Sequence, residues 1–260
     1  MAKDWDPALY TRFERERTRP ARDLLAQCRL DEPEAGGRPL RMLDLGCGPG
    51  NSTALLAERF PGAEIVGLDS SVTMLEAARQ RLPEVRFVEG DIADTAGLGT
   101  FDLVFTNAAL QWVPDHERLL PALFALVAPG GTFAAQVPDN LADPSQTEMR
   151  RIAAEPEFAA LLAEIDEART PIASREQTYD WLAGAGAEVD IWTTVYNHPL
   201  PDAEAITQWF RSTGLKPFLD SLAAEARVRF EARYTQAMER SYPARADGTR
   251  LLAFPRLFWT

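Results

Sequence analysis

The stretch Met42-Leu-Asp-Leu-Gly-Cys-Gly-Pro-Gly-Asn51 constrains this chain more than any other. Leu40, Met42, Leu43 and Leu45 form a short apolar run, the pattern of a strand buried on both faces. The run ends in Gly46, Gly48 and Gly50. Asn51, Ser52 and Thr53 then offer N-cap groups to a helical segment over 54–59. A strand, a glycine turn and a helix together expose backbone N–H groups beside a positive helix end, and let the backbone approach a small polar ligand.

The same unit repeats downstream. Ala63 to Asp69 reads as a second strand, and Ser70 or Ser71 caps a helix in which Met74, Ala78 and Leu82 align. Val85 to Asp91 and Phe101 to Asn107 read as the third and fourth strands. A helical stripe of Leu119, Leu120, Leu123, Phe124 and Val127 follows, with Pro121 in its first turn or bending it. Pro129-Gly-Gly131 stops that helix, and a fifth strand runs from Thr132 to Val137. Five strands alternating with helices predict an α/β fold with a parallel sheet and right-handed crossovers. Ligands in such sheets bind beyond the carboxyl ends of the strands. Four of those ends carry Asp44, Asp69, Asp91 and Asn107.

Before the first strand, Arg12 to Arg19 is a charged run, and Pro20 suits the first position of a helix whose Leu24, Leu25 and Cys28 share a face. The arginines read either as a solvated helix face or as a closure in which Tyr10, Arg17 or Arg19 meets a carboxylate above the glycine turn. Asp31 to Pro39 reads as a linker. Beyond residue 137 the periodicity weakens. Helices are expected over 148–169 and 175–185, a strand over 188–196, two or three helices over 203–242 with breaks at Gly214 and Pro217, and a last strand over 251–259 containing Pro255.

A net charge of −12 over 260 residues argues against nucleic-acid phosphates or an anionic membrane as partner, since both require a basic face. It leaves room for a small anionic substrate, because local arginines can oppose the global sign. No apolar run reaches the roughly 20 residues of a bilayer span, and the N-terminus lacks a signal-peptide core, so a cytoplasmic location is expected. Cys28 and Cys47 suggest neither a disulfide framework nor a metal site. Nothing in the pattern indicates the oligomeric state.

Two cofactor classes suit a glycine turn followed by an acidic strand end. A dinucleotide site calls for G-x-G-x-x-G, and Gly46-x-Gly48-x-Gly50 does not supply it. The run Leu-Asp-Leu-Gly-Cys-Gly-Pro-Gly resembles the first motif of the class I S-adenosylmethionine-dependent methyltransferases, and the resemblance extends over about 40–137. It implies a Rossmann-like, doubly wound, mostly parallel seven-stranded sheet with helices on both faces and C-terminal helical insertions forming a lid. The chain would be a single domain, with 40–137 binding the cofactor and 1–30 and 138–260 covering the substrate and completing the sheet. It also implies that Gly46, Cys47, Gly48, Gly50 and Asn51 hold the methionine and ribose of S-adenosyl-L-methionine, with Asp44 toward the ammonium. Asp69 and Ser70 would meet the ribose, a carboxylate being able to accept from both hydroxyls. Asp91, Ile92 and Met74 would meet the adenine, and Asn107 and Trp112 the sulfonium side. Duller readings stand beside these: Asp91 as a turn cap, Met74 and Trp112 as core.

Trp5 to Tyr10, Arg17 to Leu25, Asn107 to Trp112 and Phe254 to Phe258 together resemble the trans-aconitate methyltransferase family. That resemblance implies methyl transfer to a carboxylate oxygen of a small tricarboxylic acid, leaving S-adenosyl-L-homocysteine. Arg19 would lie over the cofactor, and Trp112, Arg211, Arg250 and Arg256 would hold the acid, since a guanidinium fork matches a carboxylate. A carboxylate is already ionised at neutral pH, so no catalytic base is expected. His116 then reads as a surface residue and His198 as a turn residue. The alternatives are a methyltransferase for another O- or N-acceptor and a non-catalytic cofactor-binding module.

Overall fold

The computed structural model describes residues 14–30, 37–163, 171–211 and 213–260. The N-terminal segment with Tyr10, and most of the expected linker, lie outside them. The elements are α1 (Glu14–Gln27), β1 (Arg41–Leu45), α2 (Asn51–Arg59), β2 (Glu64–Asp69), α3 (Val72–Arg81), β3 (Arg86–Glu89), β4 (Phe101–Asn107), α4 (His116–Phe124), β5 (Val127–Pro138), α5 (Pro144–Ala153), α6 (Arg175–Gly184), β6 (Ile191–Leu200), α7 (Ala203–Arg211), α8 (Lys216–Asp220), α9 (Ala224–Ser241) and β7 (Arg250–Trp259). One seven-stranded sheet has the order β3-β2-β1-β4-β5-β7-β6. β1 pairs in parallel with β2 and β4, β2 with β3, and β4 with β5. The order reverses between β1 and β4, which makes their carboxyl ends the switch point.

The chain divides into two compact units. The first (1–137, 172–193 and 257–260) packs Leu43, Leu45, Phe101, Val104, Leu119, Leu120, Phe133 and Trp259 into one apolar cluster. It has a well-formed C-terminal closure: Asp190 and Thr260 exchange both backbone hydrogen bonds, at 2.9 and 3.0 Å, as an antiparallel pair does. The second unit (138–171 and 194–256) centres on Phe230 of α9, which meets Phe158 edge-on at 5.2 Å and stacks with Phe218 at 5.8 Å. A second aromatic group there joins Tyr196, His198, Trp209, Phe210 and Phe254.

Several boundaries differ from the sequence reading, each for a visible reason. β5 begins at Val127 because Pro129-Gly-Gly131 forms a bulge rather than a stop, with the register against β4 jumping between Phe101 and Leu103. Gly131 permits it, since a Cβ there would lie 2.7 Å from the Asp102 carbonyl. Pro20 sits inside α1 rather than at its first position, and Pro121, expected in the first turn of its helix or bending it, lies in the interior of α4. The helix expected over 148–169 is seen as Pro144–Ala153, and the end of that range, 164–169, lies outside the described residues. His198 lies inside β6, buried against Trp209 at 4.7 Å, and not in a turn.

At the amino ends of β1 and β4, far along the strands from the switch point, Arg38 grips Asp102 bidentately at 2.6 and 2.7 Å, and the Arg41 N–H donates to the same carboxylate. The Arg38 guanidinium holds the Asp102 carboxyl below its usual range. A depressed acid stabilises the fold above its unfolded pKa and loses that contribution as pH falls through the folded one. Asp102→Asn is therefore expected to lower Tm at pH 7, with the gap to wild type closing below about pH 4 in thermal melts. Cofactor affinity should not change.

Candidate active site

β1 carries a carboxylate into the core and then turns sharply. Asp44 is 0% exposed and lies beneath the turn, its Oδ2 accepting from Ser52 Oγ at 2.8 Å and Thr53 Oγ1 at 2.6 Å. This overturns the capping roles expected for those hydroxyls. α2 starts three residues earlier than expected, at Asn51, with Gly50 (φ 85°) as its N-cap and no side-chain cap bond. The hydroxyls serve the buried carboxylate instead, because an unsolvated charge without donors is far costlier than an open helix end. Even so, Asp44 Oδ1 meets no donor. Burial pushes the Asp44 pKa up to about 6, against the two hydroxyls that pull it down.

The turn also spends its donors internally. Gly46 and Cys47 N–H both donate to Leu68 O, Gly48 N–H to Asp69 Oδ2 at 2.8 Å, and Gly50 N–H to Cys47 O. The expected row of free N–H groups is therefore absent from residues 46–50: the first three pin β1 to the end of β2, and Pro49 has none to give. A pyrophosphate would find no nest here. Asp69 Oδ1 accepts from Ser71 N–H, and burial raises the Asp69 pKa while these N–H groups lower it.

Gly46, Cys47, Gly48, Asn51 and Asn107 line one cleft, together with Arg17, Thr18, Ala21, Pro49 and Ser52. Both amide atoms of Asn51, Oδ1 of Asn107 and Oγ1 of Thr18 are buried there without a hydrogen-bond partner in the described structure. A Cβ on Gly48 would meet nothing within 4 Å. Unsatisfied buried polar atoms around open space are what a polar ligand would complete. The lining combines amide and hydroxyl groups, backed by a buried carboxylate, with the Arg17 guanidinium, which suits a ligand bearing charges of both signs.

The other expected site residues are distributed as follows. Ser71, and not Ser70, caps α3, accepting from Met74 N–H; Ser70 is exposed and Met74 buried. Asp91 caps its own turn through Ala93 N–H at 2.8 Å, and Ile92 lies beside Gly46. Trp112, half-buried, ends a 3₁₀ turn over Leu110–Trp112. Arg19 faces solvent near Asp23, its side chain 66% exposed, and the arginine lining the cleft is Arg17, 8% exposed. A signal existed for it: Arg17, Ala21, Leu24 and Cys28 fall at spacings of four, three and four, the phase of the buried face. Cys47 is buried and its thiol is raised well above the ordinary value by burial, so it is no nucleophile.

Within the second unit, the Arg211 fork is taken by Glu231 at 2.7 and 2.8 Å. Arg250 donates to the carbonyls of Glu239 and Tyr242. Arg256 is buried, its guanidinium 4.7 Å over the Phe254 ring. His116, expected at the surface, is 7% exposed in the first unit, with Nε2 2.9 Å from Leu110 O and Nδ1 accepting from Ala173 N–H. A ring with both nitrogens engaged can be buried without penalty, and no periodicity announces that.

Comparison with known proteins adds to this geometry. Residues 42–131 match a family model described as a methyltransferase domain. The chain is 53% identical, over 98% of its length and 96% of the relative, to a trans-aconitate 2-methyltransferase of Variovorax paradoxus. It is 53% identical over the same shares to one of Methylobacterium radiotolerans. Among solved structures it resembles a putative methyltransferase from Bacillus halodurans, with a TM-score of 0.56 at 14% identity, covering 92% of this chain and 96% of that one.

Proposed function

This chain belongs to the family of the trans-aconitate 2-methyltransferases, and from that premise we propose how its residues carry out S-adenosyl-L-methionine-dependent methyl transfer to a carboxylate oxygen of trans-aconitate or a similar small tricarboxylic acid. The observation that carries the reading is identity of about half over nearly the whole chain, terminal segments included. The cleft supports it, since its unsatisfied polar atoms fit the amino-acid end of that cofactor and its spent N–H groups do not fit a dinucleotide.

In this reading Asp69 braces the turn through Gly48 and Ser71 and still offers lone pairs to the ribose hydroxyls. Asn51, Asn107 and Thr18 complete the polar lining, and Arg17 faces the methionine carboxylate. Asp44 acts from behind Ser52 as a fixed negative charge that favours an ammonium and a sulfonium in a medium of low dielectric. Asp91, Ile92 and Met74 remain the candidates for the adenine. When bound, S-adenosyl-L-methionine would supply an electrophilic methyl group on its sulfonium, the sulfur keeping the bonding pair and leaving as the neutral thioether of S-adenosyl-L-homocysteine. The protein supplies alignment and exclusion of water, and needs no base because the acceptor is already a carboxylate. Trp112, Arg211, Arg250 and Arg256 remain the candidates for the acceptor. Arg211 and Arg250 are engaged in ordering the second unit, and any role in holding the acid would require them to exchange those partners. A cytoplasmic location, and partners that include no nucleic acid or membrane, belong to the same proposal; a net charge of −12 and two free cysteines support it.

The test is incubation with methyl-labelled cofactor and a panel of tricarboxylic acids, dicarboxylic acids, phenols and amines. An alkali-labile product from trans-aconitate is expected. Label confined to a phenol or an amine, or none from any acid, would overturn the assignment of the acceptor.

A further inference from the structure

The loop after β4 contains a residue in a conformation that side chains avoid. Ala108 has φ 55°, in the left-handed region, immediately after Asn107, which lines the cleft. The reversal seats Ala109 so close to Gly46 that a Cβ on Gly46 would lie 2.4 Å from the Ala109 Cβ. Two bonds fix Ala108: its N–H donates to Gln136 O at 2.8 Å, and its carbonyl accepts from Gln111 Nε2 at 2.6 Å.

Gln111 is a poor choice for stability alone. It is 3% exposed, and its Oε1 is buried without a hydrogen-bond partner in the described structure. An apolar side chain of that length would fill the space without desolvating an amide. A strained backbone held by a half-satisfied buried carboxamide beside a ligand cleft is a local sacrifice of the sort that functional sites retain.

We propose that Gln111 is a positioning residue of the methyl-transfer reaction: by holding the Ala108 carbonyl it keeps Ala108 left-handed and so keeps Asn107 at the cleft. The functional part rests on the reading that this cleft takes S-adenosyl-L-methionine; the conformational part does not. If the bond exists to offset strain, glycine at 108, which adopts positive φ freely, should make the bond unnecessary.

The experiment compares Gln111→Leu, Gln111→Met, Ala108→Gly and the double variant Gln111→Leu/Ala108→Gly. Hydrogen exchange of segment 106–113 is measured without ligand, S-adenosyl-L-homocysteine affinity by calorimetry, and kcat and KM with trans-aconitate. Gln111→Leu and Gln111→Met should exchange about tenfold faster in that segment and lose about tenfold in kcat, with Ala108→Gly close to wild type. The double variant should recover both to within about twofold. Single variants that match wild type in exchange, or a double variant no better than Gln111→Leu, would overturn the proposal; so would a loss of kcat that tracks Tm with no change in exchange. Should wild type bind no S-adenosyl-L-homocysteine, the cofactor reading fails, and the exchange and its rescue still decide whether Gln111 holds Ala108.

Discussion

Replacing Gly46 with alanine is expected to abolish measurable cofactor binding and to destabilise the fold by about 2–5 kcal/mol. The new Cβ would lie 2.4 Å from the Ala109 Cβ and 3.2 Å from Ile92 Cδ1, at a φ of 67°. Overpacking of this kind costs roughly 1–3 kcal/mol, and the left-handed conformation adds about 1–2 kcal/mol. Relief would require the 108–112 loop to move off the turn, and that loop carries the connection to Asn107. Gly48→Ala is the informative contrast. Its Cβ would meet nothing within 4 Å, so the fold should lose only about 1 kcal/mol for the φ of 54°. The methyl would occupy open space at a residue that lines the cleft, so affinity for S-adenosyl-L-homocysteine should fall by more than stability. Calorimetry and thermal melts on the two variants separate the roles: Gly46 for loop packing, Gly48 for ligand space. Equal losses of stability at both positions would contradict that division.

Asp44→Asn should weaken cofactor binding while stabilising the empty protein. Asp44 is wholly buried with a pKa pushed up to about 6, whereas an unfolded aspartate titrates near 3.9. For an acid with a raised folded pKa, the protonated form is the better tolerated, so stability falls as pH rises from about 4 through about 6. Above that window the empty protein bears the whole charge, at a cost on the order of 2–3 kcal/mol. Asparagine avoids that cost and can still accept from Ser52 and Thr53, so Tm at pH 7.5 should rise. The same substitution removes the negative charge behind the cleft, and affinity for the cofactor should fall about 10- to 100-fold. In wild type, affinity should also decline as pH falls below about 6, since a cationic ligand must then displace a proton from Asp44. In the variant the decline should be shallower, with Asp69, whose pKa is also raised, responsible for the remainder. A variant that is less stable and binds as wild type would contradict the assignment.

Much of the local structure was legible because local chemistry decides it. Phe101 to Asn107 is a strand over the expected residues, since an apolar run between turn signals has one place to go. The helix expected over 175–185 is α6, and Gly214 falls between α7 and α8 as expected, whereas Pro217 breaks nothing and lies in the first turn of α8, where its missing N–H costs no helix bond. The Pro129-Gly-Gly131 bulge was not legible, because the signal that stops a helix also bends a strand and only the pairing with β4 distinguishes them. The choice of Arg17 over Arg19 lay in the sequence, since residues two apart on a helix point about 200° apart, but it became readable only once the buried face was known.

The sequence by itself determined the glycine turn, the acidic strand ends and the alternation of strands and helices, because backbone freedom, capping and side-chain period act over a few residues. Only the tertiary structure decided what those groups do. It turned Ser52 and Thr53 inward to a buried Asp44, consumed the N–H groups of the turn on β2, engaged Arg211 and Arg250 elsewhere, and set Gln111 against the strain at Ala108. Desolvation is the reason. A polar group withdrawn from water takes whichever partner the packed chain brings within reach, and that partner is fixed by packing and not by spacing.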